Sequence, residues 1–123
     1  MNSHSIREVV QITGLSAHTL RYYERIGLLD PVERDSAGQR RYGQHNLNQL
    51  AFIGRLRLTG MCIAEMQRYA CLRRDGDVTL TARRALLVQH RAQVAQQIQA
   101  LQAALGALDD KIDWYQQQIN SKG

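Results

Sequence analysis

Two clusters of arginine and tyrosine carry the chemistry that this chain can do. One is Arg21-Tyr22-Tyr23, inside Thr19-Leu20-Arg21-Tyr22-Tyr23-Glu24-Arg25-Ile26. The other is Arg40-Arg41-Tyr42, which closes a short basic segment beginning near Arg34. Guanidinium groups bind phosphates and make paired hydrogen bonds to guanine O6 and N7, and tyrosine hydroxyls reach phosphate oxygens. Ser16, His18 and Thr19 precede the first cluster, where the opening turn of a reading helix would meet base edges. The pattern points to double-stranded DNA.

The elements that must position these side chains are legible around them. Ser5 with Glu8 three residues on forms a capping box before Ile6, Val9, Val10 and Ile12, so a first helix spans about 6–12. Gly14-Leu15-Ser16 is a tight turn, and Ser16 caps a second helix to about Ile26, closed by Gly27. Two short helices joined by such a turn make a helix-turn-helix. Leu15, Leu20, Val9, Val10 and Ile12 are expected to fill the angle between them. Asp35-Ser36-Ala37-Gly38 is turn chemistry separating Val32-Glu33-Arg34 from Gln39-Arg40-Arg41-Tyr42, which predicts a hairpin wing. Tyr42 is expected to pack beneath it, and Arg34, Arg40 and Arg41 to reach the flanking backbone or the minor groove.

Further helices are predicted over Asn46–Leu58 and Ile63–Leu72, with Arg73 to Asp77 as a polar loop. From Thr79 or Thr81 a long helix follows. Its apolar residues Val94, Ile98, Leu101, Leu105, Leu108, Ile112, Tyr115 and Ile119 recur at alternating steps of four and three, the seam of a coiled coil. At ~1.5 Å per residue such a helix is about 60 Å long. The chain offers no second long helix to cover the stripe, so a second copy is the expected partner. The division expected is a DNA-binding head over residues 1–74 and a dimerisation helix over 75–123.

Charge follows the same division. The net charge is +5. Residues 1–74 hold eleven arginines against six carboxylates, and 75–123 hold five cations and five anions. The excess therefore lies wholly in the part with the DNA-reading pattern, as phosphate contact requires. No apolar run approaches the ~18 residues of a membrane span, and the first residues lack the charged and apolar regions of a signal peptide. Cytoplasmic residence and no membrane partner are expected.

This ordered series of motifs resembles the MerR family of transcriptional regulators over nearly the whole chain. The resemblance rests on Ile6-Arg7-Glu8-Val9, Thr13-Gly14-Leu15-Ser16, Thr19 to Glu24, Gly27-Leu28-Leu29, the wing ending Arg40-Arg41-Tyr42, and Ile53-Gly54-Arg55-Leu56-Arg57 with Thr59-Gly60-Met61. It implies a mainly α fold: a winged helix-turn-helix head, a helix pair, and a long helix forming an antiparallel coiled-coil dimer. It also implies a homodimer on a palindromic promoter operator, which distorts the DNA on receiving a signal and acts on RNA polymerase through the promoter. The matching Arg21 and the hydroxyls of Tyr22 and Tyr23 are placed on the DNA, with Tyr22 the better contact.

The signal is written less clearly. Metal-sensing relatives carry cysteines at the start of the long helix and after it, and no cysteine follows Cys71 here. Neither a thiolate metal site nor any other cofactor is expected. The Thr59-Gly60-Met61 region and the series Tyr69, Leu72, Gly76, Thr79, Arg83 resemble a branch that senses aldehydes or other electrophiles through a cysteine. Cys62 and Cys71 are the candidate sensing thiols; the alternative is that both are small buried hydrophobes. Another effector, not a thiol reagent, is also open. Two other classes were weighed: an enzyme using Cys71 and His90, which lacks a phosphate loop, an acid pair and a cleft, and a coiled-coil scaffold with a protein-binding head, which would not need the basic wing beside Arg21-Tyr22-Tyr23.

Overall fold

The computed structural model describes residues 3–123. The order of elements is β1 (Ser3–His4), α1 (Ile6–Thr13), α2 (Ala17–Arg25), β2 (Glu33–Arg34), β3 (Arg40–Gly43), α3 (Gln44–Leu58), α4 (Ile63–Arg74), a single 3-10 turn (Asp77–Thr79) and α5 (Leu80–Lys122). Two compact units result, one ending at Leu86 and one running from Leu87 to Gly123.

The caps define the helix-turn-helix. The Ser5 hydroxyl accepts from the Glu8 amide at 3.2 Å, and the Glu8 carboxylate accepts from the Ser5 amide at 2.8 Å. This capping box starts α1. Gly14 ends it in the left-handed conformation, φ 75°, which costs a residue without Cβ nothing. The Ser16 hydroxyl then accepts from the Thr19 amide at 3.1 Å and starts α2. Val9 and Leu20, both fully buried, fill the angle between the helices. Ile12 was expected there too but is exposed, and Val10 and Leu15 are half-buried. The core is built instead from residues farther along the chain: Leu28, Leu29, Tyr42, Leu50 and Ile53.

The wing is part of a three-stranded antiparallel sheet, in the order β1-β3-β2. Ser3 faces Gly43 and His4 faces Tyr42; on the other side Glu33 faces Arg41 and Arg34 faces Arg40. The two-residue strand β1 is too short to give a period and was absent from the expectation. The predicted Asn46 start of α3 also moves, to Gln44. Asn46 itself is buried, and its side-chain oxygen accepts from the Gly43 amide at 3.1 Å, so it caps the helix from inside.

Arg73 and Arg74, expected in a loop, form the last turn of α4. Both reach back to the segment after α2. Arg73 donates to the Asp30 carboxylate at 3.1 Å, and Arg74 to the Gly27 and Leu29 carbonyls. The Asp30 carboxylate also lies 2.7 Å from His45 Nε2. Partial burial pushes the Asp30 carboxyl up, but hydrogen bonds from Gln49, His45 and Arg73 and the charge of Arg73 outweigh it and hold the group at about 2. These guanidinium groups satisfy carbonyls that no helix or strand uses.

Between α4 and the 3-10 turn stands Gly76 with φ 87° and ψ −161°, a region that side chains with Cβ essentially never occupy. The Thr79 hydroxyl lies against the Leu72 and Gly76 carbonyls, and Arg83 donates to Thr79 Oγ1 and to the Gly76 carbonyl, each at 3.1 Å. Beyond this joint α5 continues for 43 residues in all. Its only buried residue is Leu86. Ile98, Leu101, Leu105, Leu108, Ile112 and Ile119 are between 50 and 70% exposed.

Candidate nucleic-acid interface

The exposed surface of α2 carries His18, Arg21 and Arg25, with Ser16 at its cap and Thr19 and Tyr22 half-buried behind them. The Tyr22 ring lies 5.3 Å from the Arg25 guanidinium carbon. Adjacent residues of a helix point about 100° apart, so Tyr23 turns inward where Tyr22 does not. Tyr23 is buried, and its hydroxyl accepts from Arg57 of α3 at 2.5 Å. Arg57 thus holds the second tyrosine of the motif. Distance along the chain, 34 residues, hid that pairing from sequence reasoning.

Beside them lies a cavity of about 420 Å³, lined by Thr19, Tyr22, Tyr23, Arg57, Gly60 and Cys62 among others. It joins the reading helix to the start of α4. Cys62 is the N-cap residue of α4, and its side chain makes no capping hydrogen bond. Both cysteines are free and exposed, which overturns the alternative of two buried hydrophobes. Cys71 lies on α4, away from this cavity's lining.

The wing arginines differ in what they touch. Arg40 Nε donates to Glu24 of α2 at 2.8 Å, and the same carboxylate accepts from the Val32 amide at 3.3 Å. Glu24 therefore ties both sides of the hairpin to the reading helix. Sequence reasoning gave Glu24 no role, because its partners lie eight and 16 residues away. Arg41 donates to the Ser3 hydroxyl and carbonyl at 3.2 and 2.9 Å and fastens β1 to the wing. Arg34 stays exposed and donates to the Gly38 carbonyl at 3.0 Å across the hairpin turn. Tyr42 packs beneath the wing as expected: it is fully buried, its hydroxyl has no partner among the described residues, and burial pushes its ionisation up. A side chain with no accessible surface cannot touch DNA, so Tyr42 supports the wing from below.

A second groove, of about 580 Å³, runs between the start of α1, α2 and the wing. Ser5, Arg7, Arg21, Arg34, Gln39 and Arg40 line it, and no carboxylate does. Among the described residues no three His, Cys, Asp or Glu side chains gather to hold a metal ion. No helix of the described residues is long and apolar enough to cross a membrane.

Similarity to known proteins agrees with this geometry. The model of the MerR HTH family regulatory protein matches residues 4–70, and that described as MerR, DNA binding matches 47–111. The chain is 39% identical to the HTH-type transcriptional regulator AdhR of Bacillus subtilis over 71% of its own length; the match spans 62% of that relative's length. The crystal structure of a MerR family transcriptional regulator from Listeria monocytogenes superposes with a TM-score of 0.87 at 41% identity, covering 92% of this chain and 86% of the other. HiNmlR, a MerR family regulator lacking the sensor domain and bound to promoter DNA in its crystal, gives 0.87 at 33% identity over 94% and 92%. With its capped helix-turn-helix, its arginine-bearing wing and its long terminal helix, this chain belongs to the MerR family of DNA-binding transcriptional regulators.

Proposed function

We propose that two copies of this chain pair through α5 and set two heads on a two-fold symmetric operator within a promoter. The exposed apolar seam of α5 is the observation that carries the reading. From Ile98 to Ile119 this seam stays at least half exposed, and an uncovered stripe of this length calls for a helix like itself. Antiparallel pairing puts the two heads at opposite ends. In each head, Ser16, His18, Thr19, Arg21 and Tyr22 face the major groove, Tyr23 backs them through Arg57, and Arg34, Arg40 and Arg41 stand along the flanking backbone. Residues 1–74 serve as the DNA-reading part and 75–123 as the dimerisation helix. The dimer acts in the cytoplasm on the promoter, and on RNA polymerase only through the DNA it distorts.

For the signal, Cys62 is the better supported thiol. It caps α4 at the rim of a cavity that the reading helix also lines, so an adduct there alters the surroundings of Thr19 and Tyr22 directly. Cys71 has no such connection. Electrophile sensing at Cys62 gives a concrete expectation: an alkylating aldehyde or maleimide changes operator affinity or DNA bending in the wild type and in Cys71→Ser, and not in Cys62→Ser. Equal responses in all three would remove both cysteines from the mechanism and favour an effector of another kind.

The first experiment is selection from random duplexes with the full chain, sequencing of the enriched pool and sizing of the complex. A palindromic site bound by two copies supports the reading. Salt-sensitive binding without an enriched sequence overturns it.

A further inference from the structure

We propose that Arg7 joins Arg21 and Arg34 in a phosphate clamp between α1, α2 and the wing, holding the DNA backbone beside the reading helix. The proposal rests on the DNA-binding reading above and adds to it Arg7, a residue to which that reading gives no DNA contact.

Four arginines line this one groove: Arg7, Arg21, Arg34 and Arg40. Four like charges around a cavity of about 580 Å³ repel one another, and a groove so lined attracts a polyanion. The carboxylates nearby relieve this charge only at Arg40. Glu24 is engaged by Arg40 and by the Val32 amide. Glu8 is turned to its own capping box, accepting from the Ser5 amide, with His4 at 3.8 Å. Arg40 is thus neutralised from behind, while Arg7 and Arg21 make no ion pair or hydrogen bond among the described residues. The free cations of the groove come from three separate elements: α1, α2 and the wing.

The position of Arg7 sharpens the inference. It is exposed in the first turn of α1, where unpaired amides make the helix end electropositive and disfavour a cation. Glu8 of the same turn is engaged in the capping box, and among the described residues no carboxylate pairs with Arg7 there. A backbone phosphate in the groove would do so, meeting Arg7 from α1 and Arg21 or Arg34 from the other walls. The ligand is the sugar-phosphate backbone rather than a base, because the groove lies beside the exposed face of α2 and is lined by arginines from three sides.

The test is the salt dependence of binding, measured by fluorescence anisotropy with the full chain on its selected operator and on an unrelated duplex. Each lost phosphate contact lowers the slope of log K against log salt by ~0.9, so Arg7→Ala in a dimer lowers it by about 1.8. Affinity falls on the order of tenfold at ~0.1 M salt on both duplexes alike, and Arg7→Lys keeps most of the slope. The melting temperature does not fall, since Arg7 has no partner to lose. An unchanged slope and affinity in Arg7→Ala would overturn the clamp. So would a loss confined to the operator at constant slope, which marks a base contact. If wild-type protein binds no duplex, the DNA-binding reading itself has failed, a result distinct from either.

Discussion

The head and the second unit of the chain handle apolar side chains in opposite ways. In the head, Val9, Leu20, Leu28, Leu29 and Tyr42 have almost no accessible surface. In residues 87–123, the seam from Ile98 to Ile119 stays at least half exposed. The first arrangement is complete within one chain. The second is half of a structure, since at ~25 cal/mol per Å² an uncovered apolar stripe contributes nothing until something covers it. Stability in this protein therefore has two sources: one present in each copy, the other dependent on concentration.

The sharpest way to break this contrast is to charge the seam. Leu101→Asp together with Leu108→Asp should leave a folded head on a chain that sediments as a monomer. Operator affinity should drop by about 10²–10⁴, because the second half-site is no longer reached at high effective concentration. A dimer that survives both charges would mean that the exposed stripe is not the interface.

The turn between α4 and α5, within the first unit, comes next. Gly76→Ala forces a side chain into a backbone region it does not tolerate and should cost about 1–3 kcal/mol in thermal or denaturant unfolding. Gly106→Ala, within α5, should cost nothing and raise helix propensity by up to about 1 kcal/mol.

The Asp30 cluster tests the head alone. The folded Asp30 carboxyl sits at about 2, below its ordinary 3.8. A depressed carboxyl stabilises the fold fully above its unfolded value, and the contribution is lost as pH falls from about 4 towards 2. Solvent reaches this site, so the effect is on the order of 1 kcal/mol. Asp30→Asn should lower stability at neutral pH by about that much and flatten the acid limb of an unfolding series. If the variant melts with the same acid dependence as the wild type, the arginine cluster is not what holds the segment after α2.

The smallest effect distinguishes two tyrosines. Tyr42→Phe removes a buried hydroxyl without a partner and should leave stability unchanged or raise it by up to about 1 kcal/mol. Tyr23→Phe strands Arg57 and should lower it by about 1 kcal/mol. Equal values in denaturant titrations would show that the Arg57 bond is not formed in solution.

The sequence made some of this visible and concealed the rest for physical reasons. Caps and periodicities are local, so Ser5 with Glu8, Ser16 with Thr19 and the stripe on α5 were readable within a few residues of each other. Contacts between distant segments leave no such trace. Arg73 and Arg74 looked like a polar loop because their partners are carbonyls after α2, more than 40 residues back. Arg40 looked like a DNA contact of the same kind as Arg34, yet one is paired to Glu24 and the other is exposed. Ile12 fitted a helical period and still faces outward, because one apolar residue more than the small angle can hold must lie outside it. Thiol exposure is equally non-local, and only the placement of α4 separates Cys62 from Cys71.

Glu24 carries a consequence for how this head could be re-addressed. One carboxylate on α2 fixes the orientation of both hairpin strands. Reading helix and wing are thus mechanically coupled at a single residue, while His18, Arg21 and Arg25 are exposed on α2. Glu24, not these three, makes the hydrogen bonds to the wing, so exchanging them should leave the wing in place. The exposed side of α2 is then a replaceable face on a fixed mount.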